Sequence, residues 1–155
     1  MEIFENQQKR VIIVLLVIGL CAFSTPIFSV GIETNSEGDK VAIKGYDAVA
    51  YFTEGNAVKG NSQYSYRWDD ARWYFSTPEH RQQFSENPER YAPQFGGYCA
   101  NGLSHGVILA ADPEEWTIVD GKLYLKYNRE ARDEWRQDQT GMIKKAEEQW
   151  AKIHQ

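Results

Sequence analysis

The chain has 155 residues, of which 25% are charged and 42% are hydrophobic, a balance that suits one folded domain around one core. The 22 Asp and Glu residues outnumber the 17 Lys and Arg residues, so the formal net charge is −5. This acidic balance, without clustered cations, excludes a typical nucleic-acid-binding surface. The sequence also lacks a Gly-rich nucleotide loop, so no nucleotide or organic cofactor is expected.

Residues 1–32 have the composition of an export segment. Lys9 and Arg10 precede an uncharged apolar run over residues 11–23, which is the arrangement of a secretory signal peptide. The apolar character continues more weakly to residue 32, and a span of about 20 residues also suffices for an uncleaved membrane anchor. Either alternative predicts an exported protein, periplasmic or extracellular, or anchored in the inner membrane. Residues 33–40 are polar and predict a linker to a folded domain over 41–153.

The first half of this domain predicts a β-hairpin followed by short helices. Aromatic residues alternate with polar ones over 64–68, and an aromatic run follows at 73–75, so one aromatic face should point inward. The segment Ser76-Thr77-Pro78-Glu79 has the pattern of a capping box, with Ser76 as the cap of the next helix. We expect His80 to be a surface residue near the start of this helix. A second short helical turn is predicted over 87–91.

The second half predicts another hairpin between two helical segments. A short helix is expected over 98–103, and residues 112–115 predict a helix start or a turn. Two β-type runs around Asp120-Gly121 give the strongest hairpin signal in the chain. Residues 129–153 predict one amphipathic helix, bent at Gly141. The whole pattern indicates an α+β fold: a small antiparallel β-sheet of two hairpins, packed against short helices and a long C-terminal helix.

Cys99 is the most informative residue for predicting the function. The other cysteine, Cys21, lies in the export segment, so Cys99 would be the only thiol of the exported domain. A single thiol cannot form an internal disulfide. Its alternative roles are to bind a metal ion, to react as a thiol, or to pack in the core as a small apolar side chain. If Cys99 lies in the first turn of the predicted helix, the helix dipole and free backbone N–H groups would stabilise a thiolate.

Four motifs occur in order at Val41–Phe52, Trp73–Ser76, Asn87–Ala100 and Trp116–Leu125. On these residues the chain resembles the exported YHS-domain (seleno)protein family over about residues 41–153. The resemblance implies a small secreted or periplasmic bacterial protein related to heavy-metal-binding modules. Some members carry selenocysteine, which implies a reactive chalcogen at Cys99. Metal-binding YHS modules place cysteines around the hairpin and the following helix, whereas residues 73–93 contain none.

The leading prediction is an exported module that binds copper or zinc through Cys99, with His105 and Asp47 as further ligands. A thiolate and an imidazole suit these metals, but so few ligands imply weak binding or a site shared with a partner protein. One alternative is a thiol oxidoreductase or peroxide-reducing protein in which Cys99 is the catalytic nucleophile. Another is a non-catalytic partner-binding domain with an inert Cys99. We favour a non-enzymatic function, because no hydrolase machinery stands out in the sequence.

Overall fold

The computed structural model describes residues 32–34 and 40–153. Residues 1–31 of the predicted export segment, with Cys21, and residues 35–39 of the predicted linker lie outside the described residues. Within the part that is described, no helix is both long enough and apolar enough to cross a membrane.

The described residues fold into six strands and six α-helices, which confirms the predicted α+β class. The strands are β1 (Ile32–Thr34), β2 (Lys40–Ala42), β3 (Asn61–Trp68), β4 (Ala71–Phe75), β5 (Asp112–Val119) and β6 (Lys122–Lys126). The helices are α1 (Ala50–Thr53), α2 (Pro78–Glu86), α3 (Pro88–Tyr91), α4 (Ala100–Ser104), α5 (Arg129–Trp135) and α6 (Gln139–Ile153).

Both predicted hairpins are present, and each lies in a sheet of its own. Strands β3 and β4 pair antiparallel in a four-stranded sheet of order β1-β2-β4-β3, where β2 pairs with β4 in parallel. Strands β5 and β6 form a separate two-stranded antiparallel sheet. The hairpins turn through Asp69-Asp70 and Asp120-Gly121, and all four residues have positive φ. Paired positive φ angles match the right-handed twist of the flanking strands.

Three local predictions are wrong in detail. Thr77, not Ser76, caps α2, because its side chain accepts a hydrogen bond from the backbone N–H of His80 at 3.1 Å. Residues 112–115 begin strand β5 and form neither a helix start nor a turn. Pro113 lies where the pairing with β6 is irregular, between Asp112 and Trp116, and a strand tolerates proline at such an irregularity. The C-terminal helical segment is interrupted between α5 and α6, three residues before Gly141.

The core consists of two apolar clusters that meet at β6. The first lies against the four-stranded sheet and includes Trp73 and Phe84, and Leu123 and Leu125 of β6 join it. The second is formed by side chains of α4, α5, α6 and β6: Ala100, Leu103, Tyr124, Trp135 and Ala146, together with Phe95. Because successive side chains of a strand point to opposite faces, β6 contributes to both clusters.

Candidate functional site

Cys99 lies at the N-cap position of α4 (Ala100–Ser104), so the prediction of a helix over 98–103 with Cys99 in its first turn is wrong in detail. Its side chain is fully buried, with 0% of its surface exposed. Gly96 and Gly97 precede it with φ angles of 60° and 77°, so the chain turns sharply before the cysteine. The backbone N–H of Cys99 donates to the carbonyl of Leu109 at 2.9 Å. The loop that follows α4 is therefore bonded directly to the cysteine.

Two backbone N–H groups donate hydrogen bonds to Cys99 Sγ. They belong to Gly102 in α4 and to Tyr127, which directly follows β6, and each lies 3.2 Å from the sulfur. Hydrogen bonds from N–H groups to an ionised acceptor are stronger than those to a neutral one. Both donors therefore point at a sulfur that is shielded from solvent.

Lys126, the residue before Tyr127, is a second buried ionisable side chain at the end of β6. Its side chain is fully buried, its Nζ donates to the carbonyl of Tyr124 at 3.1 Å, and it lies 5.1 Å from the ring centroid of Trp135. Burial lowers the pKa of Lys126 to about 7, and the interaction with Cys99 opposes this shift. Sequence reasoning missed Lys126, although it continues the apolar run of β6.

Asp47 belongs to a different network. It is fully buried, and its Oδ1 accepts hydrogen bonds from the N–H groups of Val49 and Ala50 at 2.9 and 3.3 Å. Its Oδ2 accepts from the N–H and the hydroxyl of Ser76 at 2.8 and 2.7 Å, and lies 2.7 Å from His80 Nδ1. The carboxylate therefore joins the start of α1 to the end of β4 and to α2.

His80 is buried, so the prediction of a surface histidine is wrong. Helix α2 turns its side chain inward, where Nδ1 contacts Asp47 and Nε2 lies 3.2 Å from Thr53 Oγ1 and 3.8 Å from Glu54 Oε1. The hydroxyl of Thr53 donates to the carbonyl of Val49 at 3.1 Å. The hydroxyl proton of Thr53 is thus already used in a bond to the backbone and is not directed at His80. The Asp47–His80–Thr53 chain therefore resembles a structural network more than a nucleophile activated by a base.

His105 is the C-cap residue of α4, so it lies at the opposite end of this helix from Cys99. Its ring is exposed, and Nε2 lies 3.0 Å from Glu134 Oε1. The other oxygen of Glu134 accepts from the side-chain amide of Asn101 at 2.9 Å. The hydrogen bonds from Asn101 and His105 lower the pKa of Glu134.

The three predicted metal ligands thus lie in three separate networks of hydrogen bonds: Cys99 with Gly102 and Tyr127, His105 with Glu134, and Asp47 with Ser76 and His80. Over residues 40–153, no three or more His, Cys, Asp and Glu side chains are grouped so that they could hold a metal ion.

A cleft with a volume of about 330 Å³ borders the segment that holds Cys99. Its lining includes Tyr127, which donates to the sulfur, and Ala110, which pairs with the neighbouring Tyr98. The remaining lining residues are Lys44, Ala111, Asp112 and Asn128. Exposed apolar side chains lie beside the cleft at residues 107–109 and at Tyr127. The cysteine is therefore buried, but it lies close to an indented part of the surface.

No protein-family model, no curated protein and no solved structure matches the chain. The assignment of a function therefore rests on the geometry around Cys99.

Proposed function

We propose that the chain is an exported thiol-dependent redox protein in which Cys99 is the reactive group. The observation that carries the proposal is the pair of backbone N–H groups, from Gly102 and Tyr127, that donate to a fully buried Sγ. The thiolate is the nucleophilic form of cysteine, and N–H donors to the sulfur favour that form. The resemblance to an exported family with selenocysteine-containing members supports the same assignment.

The chemistry is attack of the Cys99 thiolate on a disulfide or a hydroperoxide. In the disulfide case a new S–S bond to Cys99 forms while the S–S bond of the substrate breaks, and one substrate sulfur leaves as a thiolate. Cys99 is the only cysteine in the described part of the chain. An external thiol would therefore attack the mixed disulfide and release Cys99 in its reduced form.

The test measures how fast Cys99 reacts with 2,2′-dithiodipyridine between pH 6 and pH 9. The full chain carries Cys21→Ser in all samples, so that Cys99 is the only thiol, and the same protein unfolded in urea is the reference. A thiol with the ordinary pKa of about 8.5 should react roughly 200-fold faster at pH 9 than at pH 6. We expect this ratio for the unfolded chain and a ratio below about ten for the native chain. Burial of Cys99 slows the reaction at every pH by the same factor, so it cancels in the ratio of the two rates. A change in this ratio therefore reports the ionisation of the thiol.

Copper or zinc binding through Cys99 remains a prediction, and the same assay distinguishes it from the thiol proposal. The reaction is repeated with one equivalent of copper(I) or zinc(II). An unchanged rate supports the redox assignment. Protection of Cys99 that is lost in His105→Ala or Asp47→Asn overturns it in favour of a metal site. The redox proposal is also overturned if the reaction rate of the native chain depends on pH as strongly as that of the unfolded chain. Cys99 would then be a core-filling residue of a partner-binding domain.

A further inference from the structure

Among the residues that the structure describes, every exposed large apolar side chain lies in one surface patch. Two hydrogen bonds hold its two parts together: the N–H of Cys99 donates to the carbonyl of Leu109 at 2.9 Å, and the N–H of Tyr127 donates to Cys99 Sγ at 3.2 Å. Folded proteins seldom expose several large apolar side chains side by side unless the surface binds something. We call this surface the apolar patch, and its residues are Val107, Ile108, Leu109 and Tyr127.

The cleft beside Cys99 joins the apolar patch to the end of β2. Its lining includes Tyr127 of the patch, Ala110, which directly follows the patch, and Lys44. Lys44 belongs to a short 3₁₀ turn over Ile43–Gly45, which directly follows β2. The patch and the end of β2 therefore border the same cleft.

Strand β1 fixes the point at which the preceding part of the chain enters the fold. β1 pairs antiparallel with β2, and Ile32 lies opposite Ala42. Because the two strands run in opposite directions, the chain enters β1 at the end where it leaves β2 for the turn at residues 43–45. All three residues of this turn have positive φ, so β2 ends there and offers no further partner to β1. The chain thus enters the fold beside the turn that lines the cleft.

The residues before β1 have the composition to cover the apolar patch. Residues 25–31 carry no charge, and Ile27, Phe28 and Val30 are apolar. Five extended residues span about 17 Å, so residues 27–31 are long enough to cross a compact cleft of about 330 Å³. Because β1 tethers this segment next to the patch, its effective concentration there is high.

We infer that residues 27–30 of this chain dock on the apolar patch and cover the cleft beside Cys99. Small side chains at Ala22 and Ser24 are typical of a signal-peptidase site, so cleavage there and an uncleaved anchor both leave residues 27–30 on the chain. The docking does not depend on the chemistry of Cys99, because it requires only apolar contact and the tether at β1.

The test places a photoreactive residue in the apolar patch of the full chain in intact cells, where no detergent competes. Ile108 is replaced by p-benzoylphenylalanine, the cells are irradiated, and the denatured product is mapped by mass spectrometry. We expect a cross-link, at the mass of one chain, between position 108 and a peptide that contains residues 27–30. The matched control carries the same probe at Lys122, an exposed position at the opposite end of β6 from Tyr127, and should not cross-link to that peptide.

A substitution in the docking segment tests the contact from its other side. Phe28→Ser should lower the yield of this cross-link at least about fivefold, because the buried ring supplies much of the apolar contact, whereas Ser29→Ala should keep the yield. The inference is overturned by cross-links from position 108 to a second copy, to another protein or to lipid in place of residues 27–30. Absence of residues 27–30 from the mature chain also overturns it.

The rate at which 2,2′-dithiodipyridine labels Cys99 tests whether the segment covers the cleft. With Cys21→Ser in all samples, Phe28→Ser should raise this rate at least about threefold at every pH, because it changes access to the thiol and not its ionisation. The ratio of the rates at pH 9 and pH 6, which tests the proposed function, should stay the same. An unchanged rate overturns the covering of the cleft, whatever the value of that ratio.

Discussion

At the scale of single residues, the most strongly bonded side chain is Asp47. Five hydrogen-bonding groups from Val49, Ala50, Ser76 and His80 converge on its two oxygens, and the carboxylate itself is fully buried. We expect Asp47→Ala to lower the free energy of unfolding by about 3–5 kcal/mol, because buried donors lose their charged acceptor. Urea unfolding followed by circular dichroism measures this change.

The matched control for this prediction is Asp112→Ala. Asp112 is half-buried and its carboxylate accepts from the N–H of Glu114 at 3.0 Å, so its loss should lower the free energy of unfolding by about 1 kcal/mol or less. Equal effects of the two substitutions would contradict the structural role that we give to Asp47. Thiol reactivity of Cys99 should survive in folded Asp47→Asn, because no hydrogen bond joins the two networks in the described residues.

Sequence reasoning identified Cys99 as the residue to examine because a lone thiol in a domain that is predicted to be exported is recognisable from the sequence. It missed Lys126 and His80 for one physical reason. Lysine and histidine near the ends of elements are usually solvated, and their burial depends on partners that are distant in sequence. For His80 that partner is Asp47, 33 residues earlier, and for Lys126 it is the ring of Trp135 on α5.

At the scale of secondary structure, the second hairpin depends on its two-residue turn. Asp120 and Gly121 have φ angles of 50° and 73°, and no other group lies within 4 Å of a Cβ added at Gly121. Gly121→Ala should therefore lower the free energy of unfolding through backbone strain alone, by about 1–2 kcal/mol, as measured by urea unfolding. Gly121→Asn should recover most of this loss, because asparagine tolerates positive φ. Equal stability of the alanine variant and the parent would show that the turn has another conformation.

Elements with strong local signals were predictable, and those that depend on distant contacts were not. The hairpin turns contain Asp and Gly where positive φ is needed, which is a local requirement. The cap of α2 was assigned to the wrong neighbour because both Ser76 and Thr77 have suitable side chains. Only the tertiary bond from Ser76 to Asp47 leaves Thr77 as the cap. Strand β2 could not be recognised from three residues, since its pairing with β4 is long-range.

At the scale of the whole molecule, β6 couples the two apolar clusters. Leu123 and Leu125 belong to the first cluster, and Tyr124 between them belongs to the second. The strand ends at Lys126, and Tyr127 directly after it donates its N–H to Cys99 Sγ. A loss of packing in either cluster must therefore disturb the strand that positions the candidate site.

This coupling predicts that both clusters unfold in one cooperative transition. Phe84 in the first cluster and Leu103 in the second are both fully buried, so replacing either by alanine should lower the free energy of unfolding by about 2–5 kcal/mol. Each substitution should shift the transitions seen by tryptophan fluorescence and by far-UV circular dichroism together, without changing the denaturant slope. Native-state hydrogen exchange locates the change: amides of β4 and α6 should lose protection equally in both variants. If Leu103→Ala exposes α6 while β4 keeps the protection of the parent chain, the clusters are independent, because the damage then stops at β6.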